Sequence, residues 1–235
     1  MSHDLAAMLA AEIRTLPAGH RLESEHMIMK RFGVSRSTVR SALRELQDQY
    51  LVRRVQGDGT FVNQRIDYLI SRSRRPSLHD TVGAVGGSVH TRLAGCELSS
   101  APDEIADRLQ LEPDTKVHQL IRISYINDAI SSYALEWVPV DVADNLDIGL
   151  RAIPSLDQIL RGRGHDPVRA WCRIGLDFPT ESIADALELD RPSQTWLVES
   201  LTRDRGTGRP LLCSTTWTRP DMIRMVLELE DEPAG

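Results

Sequence analysis

Cysteine is scarce in this chain and lysine scarcer still. Cys96, Cys172 and Cys213 are the only cysteines in 235 residues; they lie far apart, are odd in number and are each flanked by strand-like sequence. This spacing argues against a disulfide framework or a cysteine-based metal site and leaves buried thiols as the expectation. Only two lysines occur, Lys30 and Lys116, and with the modest length they speak against a pyridoxal-phosphate enzyme domain. No H-E-x-x-H, Cys-x-x-Cys or nucleophile-elbow pattern is present, and the seven histidines are dispersed. No metal, cofactor or catalytic residue is therefore expected. Long apolar runs are also missing: nothing approaches the roughly 18 residues of a membrane span, and the opening MSHDLAAMLAAEIR carries acids where a signal peptide carries a basic and then an apolar stretch. The expectation is a cytoplasmic protein with no membrane partner.

Hydrophobic residues at 41% and charged residues at 26% describe an ordinary globular chain, long enough for two domains with separate cores. The net charge of -6 argues against indiscriminate coating of nucleic acid, but it is unevenly distributed. Residues 1–65 hold ten Lys/Arg against seven Asp/Glu, whereas residues 66–235 hold eighteen against twenty-seven. Between Lys30 and Gln56, seven cations (Lys30, Arg31, Arg36, Arg40, Arg44, Arg53, Arg54) face only Glu45 and Asp48. Such a cluster is either a footprint for phosphates or a solvated helix face.

Leu5, Leu9, Ile13 and Leu16 recur at helical spacing until Pro17 and Gly19 stop the helix. A second short helix is predicted over 25–32, with Met27, Ile28 and Phe32 apolar and Gly33 closing it. Ser35 or Ser37 then caps a third helix whose buried side is Val39, Leu43 and Leu46. Two short helices about a glycine-containing turn make a helix-turn-helix. The third helix leaves Arg36, Ser37, Thr38, Arg40 and Arg44 uncommitted near its N-terminal end, the part that enters a major groove. LVRRV, the turn QGDG and TFV read as a two-stranded wing, with Arg53, Arg54 and Gln56 placed to lie along the backbone or in the minor groove.

The run RLESEHMIMKRFGVSRSTVRSALRELQDQYLVRRVQGDGTFV resembles the winged-helix signature of the GntR superfamily over about the first 65 residues. The resemblance implies that Ser35, Arg36, Ser37, Thr38 and Arg40 contact operator DNA and that Gly57 approaches a minor-groove base edge. Two positions depart from the pattern. Glu23 stands where the family usually has proline, and His26 stands where it often has an arginine that touches phosphate, which a neutral imidazole replaces poorly.

Residues 66–76 mix a short apolar stretch with arginines and are read as a linker between a DNA-binding domain at 1–65 and a second domain at 77–235. Beyond the linker, β-like runs such as KVHQLIRISYI and TWLVESLTRD alternate with helical ones such as APDEIADRLQL and TESIADALEL. Hairpin signals lie at 126–130 and 204–209, predicting an antiparallel sheet with helices on one face. A weak internal repeat pairs EIADRLQLEPDTKVHQL with SIADALELDRPSQTWLV. This order resembles the UTRA effector domain of HutC-type GntR regulators, similar in fold to chorismate lyase, over roughly 76–229, and DYLISRSRRPSLHDTV is most similar to regulators of phosphonate-utilisation operons. The expected fold class is thus α+β: a winged helix-turn-helix plus an antiparallel-sheet UTRA domain.

The family pocket combines an R-x-R pair, a hydroxyl-rich helix start and acids on later strands. Arg122 matches the first arginine, Ser124 replaces the second, and Ala134 and Leu212 stand where acids are expected. Ser77 either caps a helix or turns its amides toward an anion, with Thr81 one turn later. Glu136 lies on a predicted strand, and Arg169, Trp171 and Arg173 on another, where alternation puts these last three on one face. They make either an electropositive, aromatic-walled site or a solvated surface. The effector-binding candidates are therefore Ser77, Thr81, Arg122, Ser124, Glu136, Arg169 and Trp171. The expected function is a transcription regulator, a repressor acting as a homodimer on inverted-repeat operator DNA and released from it by a small-molecule effector, anionic or otherwise. The alternatives are a DNA-binding protein with a ligand-free dimerisation domain and an enzyme of chorismate-lyase-like fold.

Overall fold

A computed structural model describes residues 2–55, 57–71, 77–189 and 193–228, and divides into two compact units, 1–65 and 66–235. In the first unit, helix α1 spans Ser2–Ile13, α2 spans Glu25–Phe32 and α3 spans Arg36–Asp48. Each later helix starts on a serine. The Ser24 side chain accepts from the Met27 amide and that of Ser35 from the Thr38 amide, satisfying donors that the first turn leaves open. Gly33 ends α2 at φ 64, a left-handed conformation that glycine adopts without strain. Leu5, Leu9 and Ile13 of α1 meet Ile28, Val39, Ala42 and Leu46 in one core; Leu43, expected inside, is only half-buried, and Ala42 is fully buried. Each of the fully buried large side chains stabilises the unit by roughly 1.5–3 kcal/mol. Strands β1 (Val52–Val55) and β2 (Gly59–Val62) pair antiparallel as the wing, and Val52 and Val62 fasten it to that core.

Among its described residues the second unit is built on eight strands and five helices. Strand β3 (Ile66–Ile70) precedes α4 (Leu78–Gly83), β4 (Val89–Ser100), α5 (Asp103–Leu109), β5 (Lys116–Ile126) and β6 (Ala129–Pro139). Then come α6 (Leu146–Ala152), α7 (Leu156–Gly162), β7 (Pro167–Asp177), α8 (Glu181–Ala186), β8 (Thr195–Asp204), β9 (Pro210–Thr218) and β10 (Ile223–Leu227). Six strands form one antiparallel sheet in the order β4-β5-β6-β9-β8-β7. The stretch read as a linker differs from that reading. Residues 66–70 are strand β3, paired in parallel with β10, and Ile66 is buried with Ile223 and Val82; residues 72–76 lie outside the described residues.

The internal repeat has a structural counterpart. α5-β5-β6 and α8-β8-β9 are each a helix, a turn and a hairpin, and the two hairpins join through β6 and β9. In both Leu-x-Leu turns the middle residue is left-handed, Gln110 at φ 55 and Glu188 at φ 52, and the following leucine amide bonds back to Ala106 or Ala184. Helices occupy both faces of the sheet, where the pattern suggested one. Because strand residues alternate, Leu120 and Val138 face α6 and α7, whereas Val117, Trp137 and Cys213 face α5. The three cysteines are free thiols, with Cys213 buried and Cys96 and Cys172 half-buried.

Candidate functional site

The outward face of α3 and the wing present cations. Arg36, Arg40, Arg44, Arg53 and Arg54 are all exposed, as are Ser35, Ser37, His26 and Gly57, while Thr38 is half-buried. Gln56 lies outside the described residues. The serine and threonine hydroxyls at the helix start are linked: Ser35 Oγ lies 2.8 Å from both Ser37 Oγ and Thr38 Oγ1. Arg53 rests over the Phe61 ring at 5.4 Å. Arg31 is drawn away from this surface by Glu12 at 2.7 Å and by Glu23 at 3.0 Å. Sequence reasoning missed Glu25. Its carboxylate stands 3.2 Å from Arg36, 3.8 Å from Arg40 and 3.7 Å from Arg54, so one acid gathers cations from the helix and the wing. The available signal was its place directly after the capping Ser24, on the helix that packs against α3.

In the second unit a cavity of about 160 Å³ opens on the sheet face shared with α4 and α7. Strand alternation supplies its floor: Ser124 from β5, Ser132 from β6, Ser200 and Thr202 from β8, and Ser214, Thr216 and Thr218 from β9. Tyr68, Ser77, Thr91 and Ser155 bring the hydroxyl-bearing residues among the described lining to eleven. Some hydroxyls are already paired with each other, Thr91 with Ser124 at 3.1 Å and Ser200 with Ser214 at 2.9 Å. Ala134 and Leu212 line the cavity at the positions where acids were expected. The β8 and β9 hydroxyls went unread in the sequence; inward polar residues at every second strand position were the signal.

Arg122 and Glu136, from adjacent strands, form a two-pronged ion pair in the cavity wall. Arg122 Nη2 donates to Glu136 Oε1 at 2.8 Å, Nε donates to Oε2, and Nη1 donates to the Pro154 carbonyl at 3.0 Å. Their side chains are only 14% and 7% exposed. Burial, and then the Arg122 charge, push the His79 pKa below its ordinary value, favouring the neutral imidazole beside the pair. Arg169 lines the cavity and donates through Nη2 to the Tyr68 hydroxyl at 3.1 Å.

Two expected cavity residues are elsewhere. Thr81 does not line the cavity; its hydroxyl donates to the Ser77 carbonyl at 2.9 Å inside α4. Trp171 packs on the opposite sheet face with the α5 core, and the guanidinium groups of Arg108 and Arg173 each lie 5.2 Å from its ring. The cause is a β-bulge. Arg169 pairs with Thr202 and Trp171 with Leu201, neighbouring residues on β8, so the extra residue Ala170 sends Arg169 and Trp171 to opposite faces. Ser77 does line the cavity, but its hydroxyl accepts the Asp80 amide at 3.2 Å as the cap of a six-residue helix. Among the described residues no group of histidine, cysteine and acidic side chains could hold a metal, and no helix is long and apolar enough to cross a membrane.

A wing and helix-turn-helix with cations outward, joined in one chain to a sheet domain around a hydroxyl-lined cavity, is the build of a DNA-binding transcription regulator. Residues 2–62 match the family of bacterial regulatory proteins termed gntR, and residues 84–224 match the UTRA domain. The chain belongs to the GntR family of transcription regulators, in the group that carries a UTRA domain. It is 27% identical over 214 residues to the HTH-type transcriptional regulator GgaR of Escherichia coli K12, covering 91% of this chain and 84% of that one. The repressor NagR of Bacillus subtilis is 28% identical over 182 residues, 77% of this chain and 74% of that one. In fold it is similar to PhnF from Mycobacterium smegmatis, with a TM-score of 0.66 at 23% identity over 97% of this chain and all of the other.

Proposed function

We propose that the chain is a cytoplasmic repressor which binds an inverted-repeat operator as a homodimer and leaves it when a small effector enters the UTRA cavity. The observation that carries this reading is the pairing of a cation-bearing winged helix with a cavity of about 160 Å³ in the second unit. For comparison, a cavity of about 150 Å³ accepts a benzene-sized molecule. An effector that favours one arrangement of the dimer shifts the population between operator-binding and free forms by its differential affinity for the two. DNA contacts are assigned to Ser35, Arg36, Ser37, Thr38, Arg40, Arg44, Arg53, Arg54, Gln56 and Gly57, with His26 in a minor part. Ser35 acts through the helix start that it caps.

The test combines a thermal-shift screen of metabolites with operator binding to promoter DNA of neighbouring genes, since a ligand that binds only the folded state raises apparent stability. Thr216→Phe fills the cavity from a half-buried strand position. The expected result is that a stabilising metabolite weakens operator binding by the wild type, whereas Thr216→Phe binds operator and ignores the metabolite. A response equal to wild type in Thr216→Phe sinks the assignment of the cavity.

A further inference from the structure

The charges that face the cavity are matched in pairs with one exception. Arg122 is locked to Glu136, and Asp157 stands 3.9 Å from Arg161. Arg169 is the exception: among the described residues no carboxylate lies within ion-pair distance of it. Its Nε is buried and, among the described residues, has no hydrogen-bond partner; the hydrogen bond its side chain makes there runs from Nη2 to the Tyr68 hydroxyl. A buried guanidinium donor left open is disfavoured until an acceptor arrives, and its planar fork fits the paired oxygens of an oxyanion such as a carboxylate.

The rest of the lining is dominated by hydroxyls, which both donate and accept and so can replace water around a ligand that itself carries many hydroxyls. A dianionic phosphate ester fits this balance poorly. Its second charge would enter a partly enclosed site whose other arginine is already neutralised by Glu136, and a charge without a partner is strongly disfavoured there. Size points the same way, since an enclosed space of about 160 Å³ matches one small ring or short chain.

The geometry points to a single-unit polyhydroxylated monocarboxylate, a sugar acid, held by its carboxylate on Arg169 and by its hydroxyls on the serines and threonines of β8 and β9. This inference rests on the cavity being the effector site and names the class of ligand it takes. Isothermal titration of the full chain with D-gluconate and D-glucuronate, against D-glucose and D-glucose 6-phosphate, tests it. An acid should bind at least about tenfold more tightly than the neutral sugar and the phosphate ester. Arg169→Gln should remove that advantage over glucose, and Arg169→Lys should restore part of it, with circular dichroism confirming the fold of each. Tighter binding of the phosphate ester, no binding of either acid, or unchanged acid binding in Arg169→Gln overturns the proposal. The two readings fail separately. If the phosphate ester binds and releases operator and Thr216→Phe stops both, the cavity reading stands and the ligand class falls; if an acid binds through Arg169 without touching operator affinity, the ligand class stands and the regulatory reading falls.

Discussion

Arg122 and Glu136 cannot be altered one at a time without consequence. Each is largely out of water and each satisfies the other through two hydrogen bonds, so removing one leaves a buried charge. Arg122→Ala should therefore lower unfolding stability by about 3–5 kcal/mol, read in urea, whereas Arg122→Met with Glu136→Leu should recover most of that loss. A double variant as unstable as the single one would show that the pair itself stabilises the sheet. At Asp204 the amides of Asp166 and Thr207 donate to the carboxylate at 2.8 Å each and hold its pKa down at about 2. A depressed carboxyl contributes stability above its unfolded pKa of about 3.9, and the contribution disappears as pH falls through the folded value. Asp204→Asn should melt below wild type at pH 7, and the gap should narrow between about pH 4 and 2. A gap constant across that window would mean that the asparagine loses packing and not charge.

Recognition depends on how α3, α2 and the wing share charge. With Glu25 within 4 Å of three arginines, the free protein already holds these exposed cations in place, and under the proposed DNA contact a phosphate or base would draw them from that carboxylate. Arg40→Ala should weaken operator binding by about 1–3 kcal/mol and relax preference at one base pair, as expected where a guanidinium meets a base edge. Arg54→Ala should lower affinity for every sequence alike and reduce the salt-dependence slope by about 0.9, as expected of a phosphate contact. Anisotropy titrations over a range of salt, with operator and scrambled DNA, separate the two outcomes. Wild-type behaviour in both variants would remove α3 and the wing from the interface.

As a whole molecule the chain is expected to act in pairs, because one winged helix reads only a short half-site and two-fold operators require two. Sedimentation at micromolar concentration should give about twice the chain mass of 26.3 kDa, and a strictly monomeric species would rule out the dimeric reading. Most of the architecture was legible in advance. Leucine spacing in α1, serine caps before α2 and α3, glycines about the wing and the paired Leu-x-Leu turns are local signals, set by residues within a few positions of each other. The cavity was legible only in part. Ser77, Arg122, Ser124, Glu136 and Arg169 line it as read, whereas Thr81 and Trp171 do not.

The sequence by itself determined the class of protein, since caps, turns, hydrophobic periods and the cation cluster of the recognition helix are written in consecutive residues. It also determined the repeated helix-hairpin unit. Only the tertiary structure decided which charges the cavity presents. A bulge at Ala170 separates Arg169 from Trp171, and Arg122 is neutralised by an acid fourteen residues away. Strand β3 leaves the expected linker to pair with β10 from the other end of the unit. Each of these is a contact between distant segments, and periodicity along one strand carries no record of the partner that shifts its register or cancels its charge.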